Sequence, residues 1–265
     1  MIGIDVSKHN GRIDWQAVKS GGIGFAILRV GYTHYEGGLT VDDRFAENIK
    51  GALAAGIPVG VYAYAYDLSA GAARISAEKV LEAVAPYRLE YPVWYDQEYE
   101  AKLLALSKAQ RTGICRAFLD AVQQGGYYAG LYASRDWLET KLGPLDGYDK
   151  WVAAYRSDLP EPGSAKSGYA GAHGIWQYTV IGSAGTKGKD YWTSGSVPGV
   201  AGNCDLNVSY KDYPAIIRAA GLNRLGEDDG EGGEPGDTIT VPRAEWEALR
   251  AKADKLDRIA AIVGI

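Results

Sequence analysis

Phenylalanine, methionine and cysteine are nearly missing from this chain: its 265 residues hold 3 Phe, 1 Met and 2 Cys, against 19 Tyr and 7 Trp. Cys115 and Cys204 lack the paired spacing of a disulfide framework or a metal site, so buried free thiols are expected. None of the three histidines (His9, His34, His173) has a partner at metal-ligand spacing, and neither a metal nor a cofactor is implied. No apolar run approaches the ~20 residues of a membrane span, and no basic run suggests nucleic acid. The opening Met-Ile-Gly-Ile-Asp has no basic region followed by an apolar one, so synthesis in a cytoplasm without a cleavable signal is expected.

The formal net charge of −5 belongs to one segment. Gly226 to Asp237 contains six acids and no base, whereas residues 1–225 are formally neutral. That composition describes a flexible linker, placed at 223–237, between a main domain of residues 1–222 and a tail of residues 238–265. In the tail, Trp246, Leu249, Ala253, Leu256, Ala260 and Val263 follow a 3,4,3,4,3 spacing, the seam of an amphipathic helix. Such a helix is too short to fold alone, so it should bind a copy of itself through residues 240–265, the barrel, or a further partner such as a cell wall.

The main domain alternates strands and helices. Apolar strands are read at Ile2–Asp5, Phe25–Val30, Val59–Tyr66, Pro92–Glu98 and Gly126–Ala133, with helical patterns after each. Trp151–Tyr155, Gly174–Tyr178 and Asn203–Asn207 follow as strands separated by Gly-, Ser- and Pro-rich segments without helical period. Five strand-helix units and three strands without helices point to an α/β fold, a modified TIM-like barrel. Reactive groups in such barrels stand at the carboxyl ends of strands, where Asp5, Asp96, Glu98 and Asp205 fall in this reading.

Pro92-Val93-Trp94-Tyr95-Asp96-Gln97-Glu98 concentrates the chemistry. Side chains alternate along a strand, so Asp96 and Glu98 share a face with carboxyls about 6.5 to 7 Å apart. An apolar wall such as Trp94 raises the pKa of whichever acid it desolvates more, making an acid and a base from like groups. An isolated Asp-x-Glu also arises by accident at strand ends, so the rest of the chain must supply specificity. The excess of Tyr over Phe favours a wet cleft suited to stacking on sugars over simple core filling, because a phenol buried in a dry core must find a partner.

In order, Gly3-Ile4-Asp5-Val6-Ser7 with Gly11-x-Ile13-Asp14-Trp15, Gly60-Val61-Tyr62, Pro92 to Glu98, Gly130-Leu131-Tyr132, Trp176-Gln177-Tyr178 and Gly202-Asn203-Cys204-Asp205-Leu206-Asn207 resemble glycoside hydrolase family 25. These are the N-acetylmuramidases, or lysozymes, of phages, bacteria and fungi. The resemblance spans residues 1 to about 221 and implies a barrel of five strand-helix units and three further strands. It implies hydrolysis of the peptidoglycan β-1,4 bond after N-acetylmuramic acid, with Glu98 as general acid/base and Asp96 as its carboxylate partner. Asp5 and Asp205 would lie on the cleft floor, and Tyr62, Tyr64, Tyr132, Tyr155 and Trp176 would bind substrate. His9-Asn10 and the apparent insertion Gly182–Pro198 depart from the family pattern. The lack of a signal resembles phage endolysins, which are made in the host cytoplasm and reach the wall after release. Two alternatives stay open: a non-catalytic peptidoglycan-binding barrel, and an endo-N-acetylglucosaminidase cutting the other glycosidic bond.

Overall fold

The computed structural model describes residues 1–155, 167–181 and 196–225. The expected helical tail, most of the acidic linker and most of the 182–198 insertion lie outside the described residues. Nine strands occur among the described residues: β1 (Ile2–Val6), β2 (Phe25–Thr33), β3 (Leu39–Val41), β4 (Val59–Tyr64), β5 (Val93–Gln97), β6 (Ala129–Ser134), β7 (Asp149–Ala153), β8 (Ile175–Ile181) and β9 (Cys204–Ser209). The helices are α1 (Trp15–Ser20), α2 (Phe45–Ala54), α3 (Ala70–Val84), α4 (Ala101–Leu104), α5 (Lys108–Gln124) and α6 (Tyr213–Ala219). A single wide helical turn, Trp137–Lys141, follows β6 where a short helix was expected.

Local chemistry starts these helices where the sequence says it should. Asp14 caps α1 by accepting from the backbone N–H groups of Gln16 and Ala17 at 3.1 and 3.0 Å. Ser107 and Gln110 form a reciprocal capping box at the start of α5, satisfying donors that a helix's first turn leaves open.

Eight strands close into a barrel in the order β1, β2, β4, β5, β6, β7, β8, β9, with β9 returning to β1. Neighbours are parallel from β1 to β8, whereas β9 runs antiparallel to both β8 and β1. The short β3 is an extra strand, paired antiparallel with the far end of β2. The reversal of β9 corrects one expectation: Asp205 stands near the amino end of its strand. Because the strand is inverted and registers Asp205 opposite Asp5, the residue still reaches the rim formed by the carboxyl ends of the others.

Two apolar layers result. Outward-facing residues of the strands pack under the helices, with Val61, Ala63, Val93 and Tyr95 fully buried among Val80, Val84 and Phe118. Inside the barrel Phe25, Ile27, Trp94, Trp151 and Ile175 form an aromatic plug, closed from below by Tyr213 and Ile217 of α6. Two glycines make room for it. A Cβ on Gly3 would fall 2.4 Å from the Phe25 ring, and one on Gly130 would fall 2.2 Å from the Trp94 ring. Packing also runs past the expected domain end at 222: Asn223 is fully buried and donates to the carbonyls of Leu89 and Tyr91 at 2.8 and 3.0 Å, while Leu225 packs on the plug. Its amide satisfies backbone groups at the barrel's lower end, which ties residues 223–225 to the domain rather than to the linker.

Cys115 and Cys204 are free and buried, as their spacing indicated. Among the described residues no helix is long and apolar enough to cross a membrane, and no group of three or more His, Cys, Asp or Glu is placed to hold a metal ion.

Candidate active site

Above the aromatic plug lies a cleft of about 690 Å³. Alternation along β5 sends Trp94 into the plug and Asp96 into the cleft, and Glu98, just beyond the strand, follows on the same side. Asp5 from β1 and Asp205 from β9 complete a group of four acids lining one space. Tyr62, Tyr64, Tyr132 and Tyr155 line it too.

Trp176 does not. It is fully buried on the outer face of β8 against Tyr178, with its indole N–H donated to the Ala154 carbonyl at 2.9 Å. The residue of that strand that faces the cleft is Gln177, so strand alternation turns both aromatic neighbours away from it. Trp176 is therefore a core residue, and the assignment of substrate contact to it is corrected here.

Among the residues lining the cleft, Gln177 and Arg29 receive no role from the sequence, whereas Trp151 stands among the strand aromatics expected around the acids. Trp151 and Gln177 both line the space. Arg29, also in the lining, is held by Asp42, whose Oδ2 lies 2.7 Å from both Nε and Nη2. Its signal was available, since a cation inside the apolar run Phe25–Val30 needs a buried partner.

A chain of side-chain hydrogen bonds fixes the floor. Trp151 donates its indole N–H to Asn207 Oδ1 at 2.8 Å, and Asn207 Nδ2 donates to Asp5 Oδ2 at 2.8 Å. Gln177 Nε2 donates to the same Asp5 oxygen at 3.0 Å. On its other side, Gln177 Oε1 accepts from the hydroxyls of Tyr132 at 2.8 Å and Tyr155 at 3.1 Å. Tyr155 also lies 2.8 Å from Asp205 Oδ1. One oxygen is left over: Asp96 Oδ1 is buried without a hydrogen-bond partner.

Crowding four acids beside one already-paired guanidinium raises every carboxyl. Burial pushes Asp96 well above the ordinary carboxylate range, the charges of Glu98 and Asp5 add to this, and Arg29 opposes it. Burial also raises Glu98, with contact from the Tyr132 hydroxyl opposing and the charges of Asp205 and Glu100 adding. Asp5 is raised well above its usual value by burial and then by Asp205, against the bonds from Asn207 and Gln177. Asp205 is raised by burial, and its bond from Tyr155 pulls the other way. The expected division into one raised and one ordinary acid is not what the resting site shows. Trp94 sits below in the plug, and desolvation falls on both members of the pair, harder on the deeper Asp96.

A family profile for glycosyl hydrolases family 25 matches residues 4–186. The chain belongs to glycosyl hydrolase family 25. It is a glycoside hydrolase, and the motifs from Ile4 to Tyr178 that suggested the resemblance fall within the matched region; the motif Gly202–Asn207, with Asp205, lies beyond it. The "Autolytic lysozyme" of Clostridium acetobutylicum is 24% identical over 260 residues, covering 98% of this chain and 68% of that protein. A crystal structure of the bacterial lysozyme from Streptomyces coelicolor aligns with a TM-score of 0.61 at 25% identity, covering 85% of this chain and 98% of that one. The modular autolysin LytC from Streptococcus pneumoniae aligns with a TM-score of 0.61 at 30% identity over 79% of this chain. This family 25 chain spans only 46% of the LytC chain.

Proposed function

We propose that this family 25 hydrolase cuts the β-1,4 bond between N-acetylmuramic acid and N-acetylglucosamine in peptidoglycan, acting on the bacterial cell wall. The observation that carries the reading is the placement of Asp96 and Glu98 in one cleft, one deep with an unpartnered oxygen and the other half-buried toward the mouth. Hydrolysis requires a proton on the leaving oxygen and stabilisation of a cation-like sugar carbon. Glu98, raised by burial, gives that proton to the departing sugar oxygen. The 2-acetamido carbonyl oxygen of the substrate then closes on the anomeric carbon as the glycosidic bond breaks.

Asp96 assists by holding that acetamido group. Its orphaned Oδ1 suits an N–H donor from the substrate, and such a donor favours the ionised carboxylate, which then balances the positive charge developing on the acetamido ring. Glu98, now a carboxylate, takes a proton from water as the water opens the cyclic intermediate, which returns the original anomeric configuration. Asp5, held by Asn207 and Gln177, supports the floor beneath the sugar.

Glu98→Gln tests the assignment. It should keep the fold and lose about three orders of magnitude or more in lysis, since a positioned acid/base contributes ~10²- to 10⁴-fold and is used twice here. Near-normal lysis would refute it. Mass spectrometry of the released fragments identifies the bond: a reducing end bearing the lactyl group supports the muramidase, and one lacking it supports cleavage after N-acetylglucosamine.

A further inference from the structure

Alternation along β4 carries Tyr62, Tyr64 and, just past the strand's end, Tyr66 up one face of the barrel. Tyr62 and Tyr64 line the cleft, and Tyr66 lies beyond its lining. The Tyr64 and Tyr66 ring centroids are 5.1 Å apart. Tyr66 in turn stands edge-on to Tyr32 at 6.1 Å and to Tyr35 at 5.9 Å, both carried by the hairpin of β2 and β3. Tyr32 is 37% exposed and Tyr35 42%, so a row of rings that begins inside the cleft ends in solvent. Each step along it is close to the length of one pyranose in a β-1,4 chain.

The hairpin is held in place from below. Ser76 of α3 bonds to both backbone groups of Gly38, its N–H at 3.1 Å and its carbonyl at 3.0 Å. The same hydroxyl lies 2.6 Å from the buried Asp67, which also accepts from Tyr95 at 2.7 Å. Nearer the rings, the Leu68 N–H donates to the Tyr35 carbonyl at 3.1 Å and the Tyr66 N–H to the Thr33 hydroxyl at 2.8 Å. Lys102 sits over the Tyr35 ring, its ammonium 3.7 Å from the centroid. The phenol hydroxyls are left unspent. Tyr99 and Tyr155, also exposed, give theirs to Asp136 and to Asp205 or Gln177, whereas those of Tyr32, Tyr35 and Tyr66 have no hydrogen-bond partner among the described residues.

We propose that Tyr66, Tyr35 and Tyr32 form a saccharide-binding ridge outside the cleft, which takes further sugars of the glycan strand whose scissile bond lies over Asp96 and Glu98. The identity of that strand rests on the muramidase reading. Flat rings cover the apolar faces of pyranoses, and free phenol hydroxyls meet the hydroxyl and acetamido groups around their edges; tyrosine supplies both contacts where phenylalanine supplies one. The stem peptide is a poorer match. Its carboxylates would find Lys102 on Tyr35, but Glu36 of the same hairpin and Glu100, bonded to the Tyr64 hydroxyl at 3.0 Å, oppose them.

The test is kcat/KM on glycan strands freed of peptide and sorted by length. The parent should gain kcat/KM as strands grow long enough to pass from the cleft onto the ridge. Tyr32→Ser combined with Tyr35→Ser should cut that gain by about three- to tenfold, the order of one aromatic contact, with melting unchanged because both side chains are exposed. Tyr35→Ser alone gives the reading should the double variant fail to fold. A parent that gains nothing with length, an equal gain in parent and variant, or a loss confined to strands that still carry peptide overturns the proposal. Should the parent cut no strand of any length, the muramidase reading fails by itself, and retention of long strands in affinity electrophoresis decides the ridge: weaker retention by the double variant supports it, and equal retention overturns it.

Discussion

Replacing Asp96 with Asn should make the barrel more stable at alkaline pH while disabling it. Asp96 is 3% exposed, one of its oxygens has no partner, and Glu98 and Asp5 press on it electrostatically. Its carboxyl therefore holds a proton in the folded chain at pH values where the unfolded chain has released it. The sign follows: this contribution to stability is complete below the ordinary carboxylate range and is lost as pH rises through the folded value. Asn stays neutral at every pH and removes that loss. The cost of an unsatisfied buried polar group is about 1–3 kcal/mol. A domain of this size shifts its Tm by roughly 2–4 °C per kcal/mol, so the variant should melt roughly 2–12 °C above the parent at pH 8. The advantage should shrink as pH falls and the parent carboxyl takes up its proton. Calorimetric melts of both proteins across pH 5–8 measure it. A parent whose Tm climbs with pH over this window, or a variant that melts lower than the parent at pH 8, would show that the buried acid is not the strained element described. Asp5, raised by the same causes, keeps part of the slope in the variant.

Two further changes probe the packing around the site. Gly130→Ala forces a methyl to within 2.2 Å of the Trp94 ring, and overpacking of this kind costs about 1–3 kcal/mol or more, which denaturant unfolding will register as a lowered midpoint. Trp176→Phe should lower stability by the loss of buried surface and the bond to Ala154 while leaving KM for wall fragments unchanged, because the side chain faces away from the cleft; a raised KM at unchanged stability would put it back in the site.

Much of this architecture was legible because it is local. The capping box Ser107/Gln110, the cap at Asp14 and the five strand-helix units depend on near neighbours in the chain, and each appears where the residues indicated. The direction of β9 was not legible, since a strand carries no mark of its orientation and the segment before it, rich in Gly and Ser, could turn either way. The three-residue β3 was too short for any period to register. Arg29 and Asn223 went unseen for another reason: each is a polar residue whose role is set by distant partners, at Asp42 for the first and at Leu89, Tyr91 and Tyr128 for the second.

The misplacement of Trp176 has a more useful lesson, because the sequence held the means to avoid it. On a strand whose inner face is a wet cleft and whose outer face is dry core, large aromatics beside a central polar residue belong outside and the polar residue inside. Trp176-Gln177-Tyr178 obeys that rule, as does Tyr95-Asp96-Gln97, where Tyr95 stacks on Phe118 of α5 at 4.1 Å and Asp96 faces the cleft. On the inner face two of the plug aromatics stand across the ladder from glycine, Phe25 from Gly3 and Trp94 from Gly130. Aromatic side chains thus fill both sides of this barrel. The same alternation delivers Gln177 to Asp5 and to the Tyr132 hydroxyl above the plug, so the register that packs the barrel also builds the hydrogen-bonded floor of the cleft.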